Sequence, residues 1–244
     1  MQVRVGTAGR MMASAALAAV VLTGCSDTAE PDAKVPPTTS AGAPAGADAA
    51  HAERGGSIGA AGSACELPVT FDIAARWEAE AIDAAGAEVA VDELKDGGSD
   101  DPDSLDEELA AEIADSLLRQ GPVVAACEVD AKPAGNIGFL RVFTGEPGDD
   151  DARTVLEAFV TAEESDEVSI GEQEYRTFRS GDLTGVEVSY LRTSEILEET
   201  KRQHALAVTT AGGPVVLHLG GLDDEEHEAM LPAFELAKRT LRTS

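Results

Sequence analysis

Positive charge, aromatic rings and long apolar runs are all scarce in this chain. Lys and Arg number 18 against 46 Asp and Glu, a formal charge of −28. That balance excludes nucleic acid as a partner, because a polyanion would be repelled and would release no counterions, and it argues against lying flat on anionic lipid. Aromatic residues are 4% of the chain with a single Trp, which disfavours a carbohydrate platform or a large ring-lined pocket. The longest apolar-rich run, Met11 to Leu22, has 12 residues and is interrupted by Ser14. A membrane-crossing helix needs roughly 17–25.

Catalytic signatures are missing as well. There is no Gly-x-Ser-x-Gly stretch for a serine nucleophile. The Gly-Gly pairs at Gly55, Gly97, Gly212 and Gly220 lack the Lys-Ser/Thr of a phosphate loop and read as turns. None of the four histidines, His51, His204, His218 and His227, has a partner at i,i+4, and no Cys–His grouping has zinc spacing. His204 and His218 are therefore read as solvent-facing strand residues, with no metal and no cofactor expected.

What is present begins with Leu22-Thr23-Gly24-Cys25, which closes a segment carrying Arg4, Arg10 and the short apolar run. This is the layout of a bacterial lipoprotein signal peptide: Gly24 supplies the small residue beside the cut, and the Cys25 thiol is the nucleophile for lipid transfer. The expectation is a signal peptide over 1–24 and a lipidated Cys25, palmitate-bearing and held in the bilayer on the extracytoplasmic side. A disordered Ala/Gly/Pro-rich tether would then occupy 25–64, and an acidic domain 65–244. Loss of Arg4 and Arg10 leaves the mature charge at −30. The 39 residues of 26–64 span about 35 Å as a flexible chain. Arg-over-Lys usage with abundant Ala and Gly points to a high-GC genome, an actinobacterium by expectation.

With Cys25 assigned to lipid, Cys65 and Cys127 remain. An oxidising compartment favours a disulfide between them; two separate buried thiols are the alternative.

The acidic domain reads as an α+β chain. Val69 to Ile73 alternates as a half-buried strand, and a second short strand is expected after Trp77. The 83–103 stretch reads mostly as loop. Ser104 and Glu107 form a capping box ahead of Leu105, Leu109, Ile113 and Leu117, which predicts a helix over 105–119. Strands follow at Val123–Val129 and Ile137–Val142, then a helix from Asp150 or Asp151 to about Glu163. Four strands come next, at Glu174–Arg179, Val186–Arg192, His204–Thr210 and Val215–Leu219, the last two joined by the turn Ala211-Gly212-Gly213-Pro214. Asp223 or Asp224 caps a final helix to about Leu241, with Pro232 expected to kink it or shift its start. Such an order predicts a mainly antiparallel sheet covered by helices on one or both faces.

The strand running into a Trp-containing turn, Phe71 to Trp77, together with the terminal hairpin and helix (Ala205-Leu206-Ala207-Val208, Pro214-Val215-Val216-Leu217, Leu231, Phe234), resembles lipoproteins of the PsbP-like fold. That resemblance covers roughly residues 66–242. It implies an α-β-α sandwich and a non-enzymatic binding or assembly role.

Three acidic clusters could gather Ca²⁺ oxygens: 100–108, 149–151 and 223–226. The loop Asp96 to Glu107 fails the twelve-residue pattern, with Asp101 where Gly is required. All three clusters stand at helix starts, where capping and the helix dipole account for them. Trp77 reads as a core or sheet-corner residue and is the one candidate for ligand contact. The function expected is thus a lipid-anchored domain, not an enzyme, that binds an envelope protein. A small-ligand or cation binder with a pocket near Trp77 is the alternative, and a hydrolase using paired carboxylates ranks below both.

Overall fold

The computed structural model describes residues 52–82 and 118–244. Cys25, the loop over 83–103 and the helix expected over 105–117 lie outside the described residues. Of that helix's predicted end, Leu118 is helical, while Arg119 and Gln120 form a short strand instead.

Among the described residues thirteen helices and strands run in the order β1 (Arg54–Ile58), β2 (Val69–Ala74), β3 (Glu78–Ala81), β4 (Arg119–Gln120), β5 (Val123–Asp130), β6 (Gly138–Thr144), α1 (Ala152–Thr161), β7 (Val168–Ser180), β8 (Leu183–Ser194), β9 (Glu199–Thr210), β10 (Gly213–Gly221), α2 (Asp224–Thr240) and β11 (Arg242–Thr243). A 3₁₀ turn, Lys132–Ala134, links β5 to β6. The main sheet is antiparallel in the order β3-β5-β6-β10-β9-β8-β7, with β4 also on β5. A small sheet, β1-β2-β11, stands apart from it.

Alternation along the strands sorts side chains onto two faces. Leu206, Val208, Val215, Leu217 and Leu219 point to one, where Met230, Phe234 and Ala237 of α2 and Val69 and Phe71 of β2 complete a core. Val188, Tyr190, Ala205, Ala207 and Val216 point to the other, under Val155, Leu156, Phe159 and Val160 of α1. The sheet is therefore covered on both faces, which the hydrophobic pattern left open. Trp77 is 7% exposed and belongs to the α2-side core.

Both helices start as their sequences predict. Asp151 accepts from the Thr154 amide, and Asp223 from the Glu226 amide, so the acids at these two starts cap backbone donors. The third acidic cluster lies outside the described residues. Pro232 neither ends α2 nor shifts its start; the helix runs through it.

The domain begins earlier than Cys65, which corrects the tether boundary. Ala52 is held by its amide on the Pro232 carbonyl, and Arg54–Ile58 pairs antiparallel with β2. The sequence Arg-Gly-Gly-Ser-Ile hides this strand because what fixes it is mostly backbone pairing. A Cβ at Gly55 would lie 2.5 Å from the Ala74 carbonyl oxygen, so glycine here permits close approach of β2 rather than flexibility. Ile58 is buried, and Asp72 takes both Arg54, at 2.6 Å, and the Ser57 hydroxyl.

Cys65 and Cys127 form a disulfide, their Cα atoms 5.9 Å apart. A bulge in β5 makes the pairing possible. Ala125 opposes Phe143, but Cys127 rather than Ala126 opposes Val142, so the extra residue reverses the phase of the strand. Cys127 is thereby turned to the α2-side core, where Cys65 is also buried.

Candidate functional site

Two internal clusters and the surface hold the chemistry that the fold brings together. On the α1 face, just past the end of that helix, the Glu163 side chain is only 11% exposed. It accepts from the Tyr190 hydroxyl at 2.5 Å and from the Gln120 amide at 2.9 Å, and Arg192 Nε stands 3.5 Å away. His218 Nε2 lies 3.1 Å from Gln203 Oε1 and 3.3 Å from the Tyr190 oxygen. Because Tyr190 donates to Glu163 and Gln203 offers an oxygen, the imidazole proton is assigned to Nε2. Burial pushes the Tyr190 hydroxyl well above its ordinary range, with Glu163 adding to the shift. Burial pushes His218 down against the opposing pull of Glu163. The cluster is thus a neutral Tyr and a neutral His around one carboxylate. It holds β4 and the end of α1 to the sheet and presents no exposed nucleophile, since Tyr190 is 0% exposed.

A second buried group lies on the opposite face. His204 of β9 and His227 of α2 are in hydrogen-bonding contact, their rings stacked with centroids 5.0 Å apart. Both are pushed down to about 4, chiefly by burial. His204 and His218 are half-buried and turned toward the two cores, which corrects the reading of these two as solvent-facing residues. Their surroundings carried the signal: His204 is in phase with Leu206 and Val208, His218 with Val216, and His227 with Met230 and Phe234 on the inner side of α2. Among the described residues no three His, Cys, Asp or Glu side chains gather as metal ligands would.

The surface offers a cleft and an apolar end. A cleft of about 310 Å³ sits where β5, β6, β9 and β10 end near the start of α1, with Arg119, Thr144 and Thr210 among its walls. Glu146 and Asp150 also line it, and both are exposed to water. Trp77 borders a smaller hollow of about 220 Å³, shared with Arg76, Asn136 and Pro232. Its ring also belongs to the α2-side core.

At the opposite end of the sheet are the four large apolar side chains exposed among the described residues. Ile137 and Leu222, 56% and 53% exposed, are joined by a main-chain hydrogen bond of 3.0 Å. They line a groove of about 550 Å³ with Phe139, Lys132 and Lys201. Ile196 and Leu197, 66% and 64% exposed, form the turn from β8 to β9, which leaves the sheet at that same end. Ala52, where the described chain begins, lines the Trp77 hollow beside Asn136, one residue from Ile137. No helix among the described residues is long and apolar enough to cross a membrane.

A two-face α-β-α domain with closed cores and one apolar end is the class that fold and surface define. The chain belongs to a family of uncharacterised lipoproteins, whose model matches residues 35–241, and membership of a lipoprotein family suggests attachment to a membrane through lipid. No curated protein sequence matches it. Among solved structures it is similar to the cyanobacterial PsbP (CyanoP) of Synechocystis sp. PCC 6803, solved in solution, at 12% identity. The match covers 78% of this chain and 98% of that one, with a TM-score of 0.43.

Proposed function

We propose that this protein is held by a lipidated Cys25 on the extracytoplasmic face of the cell membrane and docks a second envelope protein through its apolar end, without catalysing a reaction. The observation that carries this reading is the gathering of Ile137, Leu222, Ile196 and Leu197 at one end of a domain whose two cores are otherwise closed. Exposed apolar residues grouped together, rather than scattered singly, mark interaction surfaces. Lys132, Lys201 and Asp130 border the groove, with Lys201 paired to Glu199 at 2.6 Å, so its rim is polar and mixed in charge. The buried Tyr190–Glu163–His218 cluster is satisfied internally and is built for rigidity, and the carboxylates of the cleft stand in water rather than in a desolvated site that would divide them into acid and base.

The test is cross-linking in intact cells followed by membrane purification, comparing the natural chain, Cys25→Ala, and Ile137→Asp with Leu222→Asp. A stoichiometric envelope protein captured by the natural chain and lost in both variants is the expected result. Membrane retention of Cys25→Ala would overturn the anchor. Equal capture by the Ile137/Leu222 variant would overturn the surface.

A further inference from the structure

The sheet closes at β3 on one side and at β7 on the other. β7 runs for 13 residues, Val168 to Ser180, about twice an ordinary strand. It pairs with β8 along its whole length, and among the described residues no strand pairs with its outer side. Bulges and charges ordinarily blunt such an edge. Here the bulge is confined to Gly171–Glu174, and Glu174 to Ser180 then pair with β8 without a break.

The order of charge along this edge is antisymmetric. Glu172 and Glu174 precede Tyr175, while Arg176 and Arg179 follow it. Glu172, Glu174 and Arg176 are 68%, 65% and 72% exposed. We propose that β7 pairs with β7 of a second copy of this chain, antiparallel, in the register that sets Tyr175 opposite itself. That register places Glu174 opposite Arg176 of the second copy, and Arg176 opposite its Glu174. A parallel copy in register would set like charge on like charge, which is destabilising.

Glu174 and Arg176 already form an ion pair at 2.9 Å within one strand, so their side chains lie on one face. Exchanging partners between copies keeps every charge paired while the outer main-chain groups gain hydrogen bonds. Tyr175 points to the other face, with the Arg153 guanidinium 3.9 Å from its ring centroid and Glu157 neutralising that cation. Two such sets can therefore meet at the dyad. The isologous interface turns two sheets into one and leaves the apolar end of each copy open.

The experiment is sedimentation of the full chain in mild detergent over a concentration series, with Arg176→Glu, Glu174→Arg and the double exchange. A dimer weakened at least about tenfold by either single reversal and restored by the double exchange is expected. A natural chain that stays monomeric throughout, or a dimer indifferent to both reversals, would overturn the proposal. Circular dichroism separates lost pairing from lost folding. Register is read independently by co-expressing Gln173→Cys with Thr177→Cys. These two positions face each other in the proposed pairing, so a disulfide-linked dimer forms from the mixture and from neither variant alone. Equal yields in all three cases, or none, would reject the register.

Discussion

His204 Nδ1 lies 2.7 Å from His227 Nε2, one ring on β9 and the other in the first turn of α2, and both imidazoles are neutral in the folded chain. The second nitrogen of His227, Nδ1, is buried without a partner. That atom is best left as a bare acceptor, which makes His227 Nε2–H the donor to His204. Arg202, Lys238 and His218 add to the downward shift, while Glu235 and Asp224 oppose it.

The first prediction concerns acid. The folded pair, pushed down to about 4, binds fewer protons than unfolded imidazoles of ordinary value 6.5, so stability rises with pH across that interval. Its contribution is whole above about 6.5, declines as pH falls, and is lost near 4. Discounted for partial exposure, the pair is worth on the order of 1–3 kcal/mol. Urea unfolding of His204→Gln and of His227→Leu should show a flatter slope between pH 6.5 and 4 than the natural chain. An unchanged slope would mean the pair does not titrate as argued.

The second concerns the disulfide. Its 62-residue separation corresponds to about 4 kcal/mol in the chain-entropy treatment, with measured losses for native bonds of about 2–5 kcal/mol. Reduction, or Cys127→Ser, should lower the unfolding free energy by that much, read as a lower denaturant midpoint at unchanged slope. Thiol titration of the unfolded, unreduced domain should find neither Cys65 nor Cys127 free.

Glu163 supplies the third. Glu163→Ala would leave the Tyr190 hydroxyl proton without its acceptor and the Gln120 amide with only its bond to the Phe159 carbonyl inside the α1-side core, a loss of about 2–4 kcal/mol. Glu163→Gln keeps an acceptor oxygen and should lose less. Combining Glu163→Ala with Tyr190→Phe should cost less than the sum of the two, since the second change removes a group the first leaves unsatisfied. Additive losses would show that the two do not interact.

A fourth prediction tests backbone geometry. Gly213 opens β10 at φ +109°, and a Cβ there would lie 2.1 Å from the Gly145 carbonyl oxygen. Gly213→Ala should therefore destabilise by about 1–3 kcal/mol. Gly171→Ala, with nothing within 4 Å of its Cβ and no positive φ, should be close to neutral. Thermal melts of the two variants side by side make the comparison.

Strand alternation and helix spacing made the α+β order legible. Val215, Leu217 and Leu219 against Val216 and His218 show the two faces of β10 in the sequence itself, because a strand's side chains alternate whatever covers them. The helix starts were legible to within one residue, at Asp150 or Asp151 and at Asp223 or Asp224, since each cap is a local bond spanning three residues; the structure selects Asp151 and Asp223. The Cys65–Cys127 pairing was reachable only by elimination, and the bulge that aims Cys127 inward has no local signature in Val-Val-Ala-Ala-Cys.

The amino-acid sequence by itself determined the lipoprotein-like motif Leu22–Cys25, the charge, the order of most elements and their apolar phases. Each of these depends on neighbours within a few residues or on composition. Tertiary structure alone decided that both faces of the sheet are covered and that Arg54–Ile58 is a strand. It also decided that Glu163 meets Tyr190 and Gln120, that His204 meets His227, and that four exposed apolar side chains share one end. Those contacts join residues from 23 to 43 positions apart in the histidine and glutamate clusters. They follow from packing helices onto a twisted sheet, which no local period encodes.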